Sequence, residues 1–127
     1  MKRFVFIIFI LITHNVYAQW ISLDDVQDGT NEWYVDTKPT WSGKIVKLWI
    51  KINYYPPMVN QLGTTKSSRQ LRAFNCKDLT WNTLWLSAFS EYELDGDRIV
   101  DLNPKTEWMP VPPNTFSSNI TDTYCKK

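Results

Sequence analysis

A chain of 127 residues with 43% hydrophobic content suits one small domain, whose core can fold alone but with little surplus stability. A formal net charge of +1 gives no broad electrostatic attraction to nucleic acid or to an anionic membrane. With one histidine, two cysteines and no glycine-rich phosphate loop, the usual nucleophilic and phosphoryl-transfer schemes lack their parts.

The first element in chain order is an export signal. Lys2 and Arg3 open it, Phe4 to Ile12 is an unbroken apolar run, and Val16-Tyr17-Ala18 closes it on a small residue. That order is the secretory pattern, and the run falls short of the ~20 apolar residues that span a bilayer. Residues 1–18 are read as a signal peptide and 19–127 as the mature domain. Cleavage removes His14, Lys2 and Arg3, leaving 12 basic residues against 13 acidic ones and a net charge of −1. The mature chain then carries no histidine and is expected in the periplasm, at the cell surface or outside the cell.

The mature sequence reads mainly as short strands. Trp33 to Val35 is an early one, followed by Pro39 and a turn at Ser42-Gly43. Lys44 to Tyr54 alternates most clearly: Val46, Leu48, Ile50, Ile52 and Tyr54 point one way, and Lys47, Trp49, Lys51 and Asn53 the other. Tyr54 to Gly63, with Pro56-Pro57, reads as a loop. Ser67 to Cys76 and Thr80 to Tyr92 follow as strands. In the second, Trp81, Trp85 and Phe89 are expected on one face and Leu84, Leu86 and Ala88 on the other. Asp95-Gly96 predicts a hairpin turn between a strand ending near Leu94 and one over Arg98–Leu102. Pro110, Pro112 and Pro113 exclude a central strand in the tail. Beyond them, Asn114 or Thr115 caps a short helix with Phe116, Ile120 and Tyr124 on one face.

Cys76 and Cys125 are an even pair in an exported domain and read as a structural disulfide. The alternatives are two free thiols or a metal site. Both fit less well, because no CxxC pair or histidine stands near either residue. No metal ligand set and no cofactor is expected.

Several pieces, taken in order, resemble the surface-adhesin protein E family of bacterial exported proteins. They are Trp33-Tyr34-Val35-Asp36, Ile45-Val46-Lys47-Leu48-Trp49, the Ser67 strand leading to Asn75-Cys76, Phe89-Ser90 before Asp95-Gly96, Trp108 with Val111-Pro112-Pro113, and Tyr124-Cys125-Lys126. The resemblance implies an antiparallel sheet with a C-terminal helix and a Cys76–Cys125 disulfide. It also implies an adhesin that binds host extracellular-matrix or plasma proteins. A surface lipoprotein carries a cysteine directly after its cleavage site. Here that residue is Gln19, so no lipid anchor is expected at that end.

Chemistry offers little. The carboxylate pairs Asp24-Asp25, Glu91/Glu93 and Asp95/Asp97 could in principle serve a glycosidase, but Asp95 and Asp97 flank a hairpin turn, Glu91 and Glu93 read as surface charge on one strand face, and no catalytic residue is assigned. The seven tryptophans fill a small core in the plainer reading and form an aromatic platform in the other. Trp41, beside a turn, and Tyr54-Tyr55, before the prolines, are the best exposed candidates. Lys44, Lys47 and Lys51 with Trp49 read either as a solvated face that prevents edge-to-edge pairing or as a basic-aromatic stripe, with Lys66, Arg69 and Arg72 nearby, suited to acidic protein stretches or sulfated glycans. The candidate partner-binding residues are therefore Trp41, Lys47, Trp49, Lys51, Tyr54 and Tyr55. A carrier of a small apolar ligand would need a cavity lined by tryptophans.

These readings predict an α+β fold, an antiparallel sheet of five to six strands with a short C-terminal helix tied by a disulfide. The function expected is a non-enzymatic exported binding protein. The alternative is a soluble periplasmic accessory or structural protein of the envelope.

Overall fold

The computed structural model describes residues 20–22, 31–61, 63–104 and 106–125; the expected signal peptide lies outside them. The alternating stretch becomes the middle of an eight-stranded antiparallel sheet. Its strands are β1 (Trp20–Ser22), β2 (Glu32–Asp36), β3 (Thr40–Ser42), β4 (Ile45–Asn60), β5 (Gly63–Asn75), β6 (Thr80–Phe89), β7 (Arg98–Leu102) and β8 (Met109–Pro110), followed by the helix α1 (Phe116–Tyr124). The order across the sheet is β1-β2-β4-β5-β6-β7, with β3 beside β4 and β8 beside β6. Eight strands exceed the five or six expected. The extra ones, β1, β3 and β8, are two or three residues long, too short to show a period of two.

Alternation in β4 sorts the two faces as expected. Val46, Leu48, Ile50 and Ile52 are each no more than 1% exposed. They pack with Val35, Phe74, Phe116 and Ile120 into the core, which Trp33, Tyr54, Trp81 and Tyr124 border. Each such side chain contributes about 1.5–3 kcal/mol on burial. A nine-residue helix is marginal alone, so α1 depends on this packing. Thr115 caps it, its hydroxyl accepting from the Ser118 N–H while the Ser118 hydroxyl takes the Thr115 N–H. Trp33 stacks on Phe116 at 4.5 Å. Beyond the last turn, a disulfide joins Cys125 to Cys76 at the end of β5.

Three local readings change. The stretch taken as a loop from Tyr54 continues β4 to Asn60, and the β4–β5 hairpin extends beyond the rest of the sheet. The ladder breaks between Asn53 and Met58 and resumes as Met58 opposite Thr65. Pro56 and Pro57 fall in that break, where the missing N–H costs no ladder bond. In β6 a bulge sets Leu71 opposite Trp85 but Arg72 opposite Thr83. The extra residue, Leu84, reverses the parity, so Trp81 joins the core side while Trp85 faces the other way.

The third change concerns the segment after β6. The strand stops at Phe89, and Tyr92–Leu94 forms a single 3-10 turn. Glu93 and Leu94 hold positive φ, 59° and 61°, an unfavourable conformation for side-chain-bearing residues. Buried polar groups of the outward sheet face secure it. The Asn53 carboxamide accepts from the Glu93 N–H at 3.1 Å, and the Ser67 hydroxyl accepts from the Leu94 N–H at 3.0 Å and donates to the Glu91 carbonyl at 2.6 Å. Gly96 turns the chain back with φ of 77°. A β-carbon there would lie 2.7 Å from the Glu91 Cγ, so glycine is required on both counts.

Glu93 also reaches over the sheet to Lys51, and the two form an ion pair. The lysine is 5% exposed, and its ammonium lies 4.2 Å from the Tyr34 ring centroid and 5.5 Å from that of Trp20. The hydrogen bond from Lys51, aided by Asn53, holds the Glu93 carboxyl below its ordinary value. The stabilisation is therefore present above the unfolded pKa of glutamate and lost as pH falls through the lower folded value. Glu93→Gln leaves the buried ammonium without its counter-charge. Because the Glu93 side chain is 58% exposed, the expected loss is about 1–3 kcal/mol. Urea titrations at neutral pH and at acid pH check this, with the gap between variant and parent closing in acid.

Candidate functional site

Helix α1 covers one face of the sheet. On the other, the turn at 92–94 covers Lys51 and Asn53, and beyond it lies an aromatic, basic groove of about 430 Å³ lined by Trp49, Arg69, Leu71, Trp85, Phe89 and Arg98 among others. The pairing places these side chains together: Trp49 stands opposite Leu71, Leu71 opposite Trp85, and Arg69 opposite Ser87. Opposed residues share a face of the sheet.

The Arg69 guanidinium lies 4.0 Å from the Trp49 ring centroid, a cation–π contact that covers the indole. On the other side of the groove, the Asp101 carboxylate accepts from the Trp85 indole N–H at 2.7 Å, the Ser87 hydroxyl at 2.7 Å and Arg98 at 3.2 Å. The Ser87 hydrogen bond, with those of Trp85 and Arg98, holds the Asp101 carboxyl below its ordinary value. Asp101 thus fixes both Trp85 and Arg98.

The six sequence candidates do not form one patch. Lys47 is exposed and shares the groove face with Trp49. Lys51 is on that face too, but buried beneath Glu93. Tyr54 lies on the core side, its hydroxyl 2.8 Å from that of Ser68. Tyr55 is exposed at the far end of β4, stacked on Tyr92 at 4.7 Å. Trp41, 46% exposed, sits opposite Val46 and therefore on the helix-bearing side. There it borders a hollow with Lys44, Lys77 and Tyr124 beside the disulfide.

Trp85, Phe89 and Arg98 complete the groove but are not among those candidates. Period-two reading of β6 groups Trp85 with Trp81, and the bulge that separates them leaves no trace in composition. Of the carboxylate pairs, Asp24-Asp25 lies outside the described residues. Glu91 and Glu93 are not on a strand face; each sits in the turn region and pairs with its own lysine, Lys66 and Lys51. Among the described residues no helix is long and apolar enough to cross a membrane.

The solved structures of Haemophilus influenzae protein E share this architecture. One matches with a TM-score of 0.61 at 19% identity, covering 87% of this chain and 86% of that one. Its selenomethionine form matches with a TM-score of 0.60 at 18% identity, covering 87% and 88%. Protein E from non-typeable Haemophilus influenzae gives 0.54 at 19% identity, over 88% and 78%. At that identity the likeness is one of fold. No curated protein matches the sequence at a significant level. The family model described as surface-adhesin protein E matches residues 20–126. Its span takes in the sheet, both groove walls, the helix and both cysteines, and the chain belongs to the surface-adhesin protein E family.

Proposed function

We propose that the mature chain works outside the cytoplasm as an adhesin, binding a host matrix or plasma protein through the helix-free face of its sheet. The observation that carries this reading is the groove in which Arg69 covers Trp49 and Asp101 positions Trp85 and Arg98. Tryptophan and arginine in a pre-positioned cluster are the residue types that dominate binding energy at protein interfaces. Lys47 and Arg69 bias the face toward an acidic stretch on the partner, the charge of Arg98 being balanced by Asp101.

Trp49→Ala and Arg69→Ala are each expected to weaken binding to immobilised host matrix and plasma proteins by about tenfold or more. Surface plasmon resonance on folded variants reads this. Trp41→Ala and Tyr55→Ala, in the same assay, should have little effect. Loss confined to Trp41 or Tyr55 would move the contact to another surface, and a parent protein that binds no member of the panel would contradict the adhesin reading.

A further inference from the structure

The helix-bearing side of the sheet holds a second cavity. It has a volume of about 300 Å³ and lies where β8 and the first turn of α1 approach the sheet, with walls that include Trp33, Trp81, Met109, Pro110 and Phe116. The bulge in β6 turns Trp81 to this side, and Arg72 of β5 faces the same space.

Arg72 is in an unusual position. Its guanidinium carbon lies 4.7 Å from the Trp81 ring centroid, 5.6 Å from that of Trp33 and 5.9 Å from that of Phe116. Its Nε donates to the Gln70 side chain at 2.9 Å. Among the described residues no carboxylate pairs with it; the ion pairs there are Lys51–Glu93, Lys66–Glu91 and Arg98–Asp101. Burial lowers its pKa to about 10, so at neutral pH it still carries its charge, against an apolar wall.

We propose that this cavity binds a small monocarboxylate with an apolar body, the carboxylate paired with Arg72 and the body held among Trp33, Trp81, Phe116 and Met109. Each part of the ligand class follows from the site. A guanidinium offers two parallel donors that fit a carboxylate. The walls are mainly aromatic, proline and methionine, with Asn114, Thr115 and Ser117 at the α1 end, and they favour an apolar body over a polar one. A single cation matches a single negative charge, and a second would be buried without compensation. The volume stands at the low end of ligand sites, which sets the size. The positive end of α1 at the cavity wall adds a field of the same sign. The site lies on the opposite face from the Trp49 groove, so its fate and that of the adhesin reading are separate.

Octanoate is a suitable probe, with octanol and octylamine as its neutral and cationic counterparts. Isothermal titration calorimetry of the purified protein should show saturable octanoate binding about tenfold tighter than octanol, with octylamine weakest. Arg72→Met keeps the apolar reach and removes the charge. It should melt near the parent temperature and lose that preference for octanoate. Met109→Trp changes an exposed residue at the cavity wall and should block all three ligands, which keeps the test decisive if Arg72→Met fails to fold. Absent octanoate binding, octanol binding as tightly as octanoate, or octanoate binding unchanged in either variant would overturn the proposal.

Discussion

Ile50→Asp is expected to leave the chain unfolded at neutral pH. Ile50 is 0% exposed at the centre of β4, opposite Val35 on one side and Gln70 on the other. Losing its packing costs about 2–5 kcal/mol by analogy with large-to-small core changes. The carboxylate adds several kcal/mol more, since neither ladder neighbour offers a compensating charge. Against a total stability of roughly 5–15 kcal/mol for a domain of this kind, nothing is left over. The same change at Leu48 should do less damage, because its ladder partner is Arg72. Far-ultraviolet circular dichroism and the recovery of soluble protein check both. A folded Ile50→Asp variant would mean that this face of β4 does not form the core.

Cys125→Ser is expected to have the next largest effect. The disulfide closes a loop across a sequence separation of 49. In the chain-entropy model a loop of that size is worth about 4 kcal/mol, and removing a native disulfide from a small exported domain costs about 2–5 kcal/mol. The loss falls on α1, because Cys125 lies directly beyond it and the helix is otherwise held by Phe116, Ile120 and Tyr124. At roughly 4–8 °C per kcal/mol for a domain of about this size, the melting temperature should fall by about 10 °C or more. Thermal melts of Cys125→Ser and Cys76→Ser should agree with each other and with the reduced parent. A melt unchanged by either substitution would reject the stabilising role.

These two predictions concern the parts of the molecule most legible from residue order. Val46 to Ile52 alternates without a break, and one face is fully buried. A strand with one dry face writes its register into the sequence. A capping residue at Asn114 or Thr115 and the four-residue spacing of Phe116, Ile120 and Tyr124 mark the helix for the same reason, since both signals are local, and the structure places the cap at Thr115. Arg98–Leu102 was likewise framed by the Asp95-Gly96 turn and holds its expected bounds.

What escaped the sequence depends on partners far along the chain. Lys51, Asn53 and Ser67 alternate as an outward polar face should. They are buried because a turn some 25 to 40 residues later folds over them, with Glu93 as the counter-charge. The bulge at Leu84 is a matter of pairing between β5 and β6, so it could not be read from β6 alone. It sends Trp81 and Trp85 to opposite faces and so creates both the groove and the cavity beside Arg72. Pro56 and Pro57 misled in the other direction. Proline usually ends a central strand, but here the ladder itself is interrupted and β4 passes through.

An adhesin must be displayed where a host protein can reach it, and protease treatment of intact cells reads that display. External protease is expected to remove the protein from intact cells as fully as from cells with a permeabilised outer membrane. Full protection until the envelope is opened, together with recovery in the periplasmic fraction alone, would contradict it and identify an accessory protein of the periplasm.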